Sequence, residues 1–131
     1  METITTDYIK KIVEMYNGNI ILQPPCQREM SEDIPQEIRS ILCISNGIQE
    51  TIAVAQIDQP VVIGWIIEPY DMMMSDTAFY RSVYKIDGVA FATDGAGNPF
   101  IIKPNGTIIC FNGIENDETE VADSLSDFFE V

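Results

Sequence analysis

The stretch Phe91-Ala-Thr-Asp94-Gly95-Ala-Gly97-Asn98-Pro-Phe100-Ile-Ile-Lys-Pro104-Asn105-Gly106-Thr107-Ile-Ile-Cys110-Phe111 reads as three short strands joined by two turns. Asn105-Gly106 between two β-rich runs is a hairpin signal, because a type I′ turn needs positive φ at both central residues. Asp94-Gly95-Ala-Gly97-Asn98 supplies residues that tolerate positive φ, as a longer or bulged turn requires. Gly95, Gly97, Asn105 and Gly106 are therefore expected to shape turns. Beyond this meander the chain is acidic: from Pro104 to Val131 there are seven acidic residues and no basic one.

Working outward, apolar spacing predicts three helices. Tyr8, Ile9, Ile12, Val13 and Tyr16 recur at helical intervals over about residues 6–16. Thr5, Thr6 or Asp7 is expected to cap that helix, and Asn17-Gly18 to stop it. Residues 19–33 read as a connector around Pro24-Pro25. A second helix is expected over about 34–45, with Pro35 in its first turn and Ile38, Ile41, Leu42 and Ser45 facing inward. Asn46-Gly47 repeats the stop of the first helix. Thr51–Ala55 and Val61–Glu68 read as neighbouring strands. Tyr70–Tyr84 is ambiguous, a short helix or a helix with a loop. A last helix is expected from Asp117 or Glu118 to Phe129, carried by Val121, Ala122, Leu125, Phe128 and Phe129. The sum is an α+β domain over residues 1–131, with a mostly antiparallel sheet of about five to six strands flanked by helices.

Composition narrows the chemistry. The chain of 131 residues has 21 acids, 7 bases and no histidine, for a net charge of −14. Such a field repels nucleic acid and anionic membranes and steers basic partners inward. Cys26, Cys43 and Cys110 form no CxxC spacing and have no histidine to complete a zinc site, so no metal is expected. Buried, inert thiols are expected at Cys43 and Cys110, with Cys26 the better candidate for reactivity. The Gly95-Ala-Gly97 loop fails the dinucleotide pattern, since Phe100 stands at the third glycine and the loop enters a strand. It fails the calcium-loop pattern because Asn105 stands where the twelfth-position carboxylate belongs. No cofactor is expected. The N-terminus lacks the basic and apolar regions of a signal peptide, so a cytoplasmic location is expected. Met72-Met73-Met74 reads as core filling or as an adaptable surface, and Trp65 as a buried ring or an interface anchor.

The acidic C-terminal stretch carries the functional reading. Seven of the fourteen net negative charges fall in the last 28 residues with no base to compensate them. A solvated helix face ordinarily mixes signs. Glu115, Asp117, Glu118, Glu120 and Asp123 are expected to contact a cationic protein, with Asp94 and Asn98 adding to them from the adjacent turn.

Several of these segments together resemble a known family. Ile34-Pro-Gln-Glu-Ile-Arg-Ser-Ile-Leu-Cys-Ile-Ser-Asn-Gly47, Gly64-Trp-Ile-Ile-Glu-Pro69 and Phe91-Ala-Thr-Asp-Gly-Ala-Gly-Asn-Pro-Phe100 resemble the ordered motifs of the SUKH superfamily. That superfamily includes the Smi/Knr-type cell-wall regulators and Syd. Thr93 departs from the glycine or serine common before the acidic turn. The proline-rich 24–33 segment is short where many members have a helix. The resemblance implies a non-enzymatic bacterial immunity protein that binds and neutralises a cognate toxin, often a basic nuclease, in the cytoplasm. It also admits a regulatory scaffold for a cellular signalling protein. It carries over no catalytic residue.

Overall fold

The computed structural model describes residues 2–131, and side chains from Ile4 onward. In chain order the elements are α1 (Glu2–Met15), β1 (Ile20–Leu22), α2 (Gln36–Ile44), β2 (Ile48–Ile52), β3 (Val61–Ile67) and α3 (Tyr70–Tyr84). They continue with β4 (Val89–Thr93), β5 (Pro99–Ile102), β6 (Ile108–Asn112), β7 (Asp117–Ala122) and α4 (Leu125–Phe129). The α+β class holds. The strands form two antiparallel sheets, β1-β2-β3 and β4-β5-β6-β7. They meet where the Glu68 N–H donates to the Phe91 carbonyl at 2.9 Å.

The first helix starts at Glu2, so Thr5, Thr6 and Asp7 lie inside it rather than at its cap. Thr5, Tyr8 and Ile12 form its buried face. The Tyr8 hydroxyl donates to Glu37 at 2.5 Å and lies 3.0 Å from the Ser126 hydroxyl, tying α1 to α2 and α4. Asn17 and Gly18 both take positive φ, and the Gly18 N–H returns to the Val13 carbonyl at 2.8 Å. The connector then holds the short strand β1, which pairs Ile20 with Glu50.

On α2, Ile38, Ile41 and Leu42 are buried and Cys43 is exposed. Helical periodicity explains the correction at Cys43: with 41 and 42 turned inward, 43 must turn out. Cys110 is half-buried. Gly47 does more than stop the helix. Its φ is +96°, and a Cβ there would lie 2.8 Å from the Trp65 ring. The Asn46 side-chain oxygen Oδ1 accepts from the Tyr70 N–H at 2.8 Å, which serves the start of α3. The second strand starts directly after Gly47, three residues before its expected start at Thr51.

The ambiguous segment is a full 15-residue helix. Of the methionine triplet, Met73 is fully buried and Met72 exposed. Helix α3 covers one face of the second sheet, where Tyr80, Tyr84 and Ile86 pack on Ala90, Ile101, Ile109 and Phe111. The opposite face, through Val89, Phe91, Ile102 and Ile108, joins α1, α2 and α4 in the main core. Both faces of β4 are thereby covered, which suits its unbroken apolar run.

The expected C-terminal helix over 117–129 is corrected to a strand followed by one turn and a half of helix. Asn112 accepts from the Ile114 and Glu115 N–H groups, and Asn116 takes φ +52°. This turn feeds Asp117 back along β6. Alternating Thr119 and Val121 favour extended backbone, while the crowded carboxylates disfavour a helix with no cation to relieve them. A register shift beside Ile108 leaves Val121 exposed and returns Ala122 to the core side. Helix α4 starts at Ser124, whose hydroxyl accepts from the Asp127 N–H at 3.1 Å. Its Phe129 ring meets Tyr8 at 5.2 Å, and Phe128 meets Phe100 at 5.0 Å.

Candidate functional site

Strand β7 is the outer edge of the second sheet. Glu115, Asp117, Glu118, Glu120 and Asp123 are all exposed along it or beside it. From Asp117 to Asp123 a strand covers about 20 Å. The five carboxylates therefore form a row rather than a patch. Glu118 and Glu120 stand opposite Phe111 and Ile109 and share the face covered further in by α3. Lys103 reaches Glu118 at 2.8 Å across the sheet and neutralises part of the row. Glu115 and Asp117 sit at one end, and Asp123 follows Ala122 at the other. An edge strand with unpaired backbone groups invites further pairing, and charge along it discourages association with copies of itself.

The register Phe100↔Cys110 puts the Asp94–Asn98 turn at the same end of the sheet as Glu115 and Asp117. Asp94 is committed to its own loop. Its Oδ1 accepts from the Ala96 and Asn98 N–H groups, both at 2.8 Å, and its Oδ2 from the Asn98 side chain at 3.2 Å. Burial alone raises a carboxyl, but these donors and the Cys110 thiol outweigh it and hold Asp94 below its ordinary value. Asp94 is therefore a turn-builder that keeps its charge.

The two turns of the meander share one design. Asp94 N–H donates to the Asn98 carbonyl and Gly97 N–H to the Asp94 carbonyl; Lys103 N–H donates to Thr107 and Gly106 N–H to Lys103. In each, the third loop residue is a glycine at positive φ, +87° at Gly97 and +93° at Gly106. This is a three-residue loop ending in a left-handed glycine, not the two-residue type I′ turn. Asn105 has no positive φ; its side chain accepts from the Thr107 N–H instead. Gly95 has no positive φ either.

Three residues with no functional signal in the sequence matter here. Tyr16, Glu50 and Phe100 line a cleft of about 440 Å³ between β3 and the Asp94 turn, with Trp65 also on its wall. Burial first, and then the charge of the Glu50 carboxylate on the same cleft, push the Tyr16 phenol above its ordinary value. A smaller apolar hollow of about 220 Å³ continues from Tyr16 and Phe100 toward Phe128. Glu68, at the end of β3, is 3% exposed, and one of its carboxylate oxygens has no hydrogen-bond partner among the described residues. A lone acid inside the apolar run Gly64–Pro69 is the sequence signal that marks it.

A model of the SMI1/KNR4 family (SUKH-1) matches residues 25–131. The chain belongs to this family. No curated protein and no solved structure matches the chain. The family match takes in α2, both meander turns and the acidic edge, and leaves out α1 and β1. The SMI1/KNR4 family includes immunity proteins. Among the described residues no cluster of three or more histidine, cysteine or acidic side chains is arranged to hold a metal ion. No described helix is long and apolar enough to cross a membrane.

Proposed function

We propose that this member of the SMI1/KNR4 family is a non-enzymatic immunity protein. It acts in the cytoplasm as a single domain and neutralises a cognate toxin by binding a basic surface on it. The observation that carries this reading is the row of exposed carboxylates from Glu115 to Asp123, with Lys103 as its ion-paired cation. A nuclease toxin fits best, since nucleases hold phosphates with positive charge and an acidic inhibitor competes for that surface. Charge complementarity of this kind acts mainly on the rate of encounter.

The test is a pull-down with the proteins encoded beside this gene, followed by co-expression of the captured toxin domain. Capture of a basic toxin and rescue of growth support the reading. Reversing Glu118, Glu120 and Asp123 together to lysine is expected to slow association by about tenfold or more at low salt, with the fold intact by circular dichroism. Capture of a signalling protein in place of a toxin would instead identify a regulatory scaffold.

A further inference from the structure

The cleft between β3 and the Asp94 turn is not used by the acidic edge. Its wall combines the Tyr16 and Phe100 rings with the half-buried Glu50 carboxylate. The Glu50 side chain has no hydrogen bond or ion pair among the described residues, and the cleft wall includes no lysine or arginine. A Cβ built on Gly64, Gly95 or Gly97, all on the same wall, would meet no atom within 4 Å. The cleft thus has open space, aromatic surface and two carboxylates with no cation beside them: Asp94, whose oxygens are taken up by its own turn, and Glu50, whose side chain has no partner.

Those three properties select a long planar cation. A guanidinium stacks on aromatic faces and binds a carboxylate through two parallel hydrogen bonds, and it loses less hydration than an ammonium does. A volume of about 440 Å³ lies within the range of ligand pockets and admits a whole side chain. The protein's net charge of −14 draws basic chains toward it.

We propose that this cleft receives an arginine side chain of the protein partner, with Glu50 as its carboxylate acceptor and Tyr16 and Phe100 as its aromatic walls. The proposal rests on the reading of the protein as a binder of a basic protein, and it adds a specific anchor to the diffuse attraction of β7. A central pocketed arginine is a common energetic anchor of protein interfaces, whereas rim charges mainly set the encounter rate.

The probe is a short capped peptide with one arginine, titrated into the ¹⁵N-labelled full chain. Saturable amide shifts are expected at Gly64, Gly95 and Gly97, with Gly88 and Gly106 unmoved. Citrulline in place of arginine should abolish them, and lysine should weaken them. Two variants close the test. Glu50→Gln removes the charge at a side chain without other partners. Gly64→Leu fills the cleft at a strand position with no positive φ. Both are expected to weaken peptide binding at least tenfold, whereas Glu32→Gln, at an exposed acid outside both the cleft and the β7 row and with the same change in net charge as Glu50→Gln, should leave it unaltered. Absent shifts, equal shifts with citrulline, or full binding by both variants would overturn the proposal. If the toxin still binds through the β7 carboxylates while the peptide ignores the cleft, only the cleft assignment fails. If the peptide fills the cleft but no basic protein is captured, the immunity reading fails and the cleft stands.

Discussion

Glu68 shows how much one residue can hide from a sequence. It ends an apolar strand, is 3% exposed, and lies against Asp76 of α3. Burial, then the hydrogen bond and charge of Asp76, raise its carboxyl to about 8, from an ordinary 4.5. The folded protein therefore holds a proton that the unfolded chain releases between those values. Stability present at low pH is lost as pH rises through that window, by up to about 1.4 kcal/mol per unit. Glu68→Gln should flatten this slope and unfold at higher denaturant than the parent at pH 8, as urea titrations at pH 5 and 8 would show. Equal slopes in both proteins would contradict the account. Gly47 is the complementary case, legible as a helix stop but not as the seat of Trp65. Gly47→Ala meets both the ring and the positive φ, and should cost about 2 kcal/mol or more. Gly18→Ala, with open space around it, meets the φ penalty alone and should cost about 1 kcal/mol.

At the scale of elements, patterns short in sequence separation are legible. Helix α2, the run of β3 and the three meander strands follow from periodicity and turn residues. The C-terminal segment is not, because Val121, Ala122, Leu125, Phe128 and Phe129 imitate one helical stripe although they serve two elements. Ala122 closes a strand against Ile108, and only Leu125 onward is helical. What decides between them is β6, a partner some ten residues back, together with the left-handed turn at Asn116. Strand β1 is illegible for a related reason: three residues hold no period, and only pairing with β2 makes them a strand. Two consequences are measurable. Ser124→Ala removes the cap of α4 and should destabilise the fold by about 1 kcal/mol in denaturant unfolding. Amides of β7 that bond to β6 should exchange more slowly than those of the 113–116 turn, as native-state hydrogen exchange would report; uniform rapid exchange through 117–122 would argue against the strand.

Across the whole molecule, charge is the most legible property and its placement the least. Glu118, Glu120 and Asp123 read as part of one helix face with Asp127 and Glu130, but they lie along or beside a sheet edge while Asp127 and Glu130 stay with α4; all are exposed and nearly free of cations. The Asp94 turn reads as a source of added contacts, yet its carboxylate is occupied by the turn itself. The cleft beside it is invisible in the sequence because Tyr16, Glu50 and Phe100 are far apart along the chain and meet only when the two sheets join. A chain of −14 also repels itself, so moderate salt should raise its melting temperature while it slows partner binding. The central claim is that the acidic edge captures a basic protein, and the most direct measurement is the association rate of that partner against ionic strength. The rate should fall steeply from about 20 to about 500 mM salt, and the Glu118, Glu120 and Asp123 lysine variant should lose most of that dependence. A rate that is the same for both proteins at every salt concentration would contradict it.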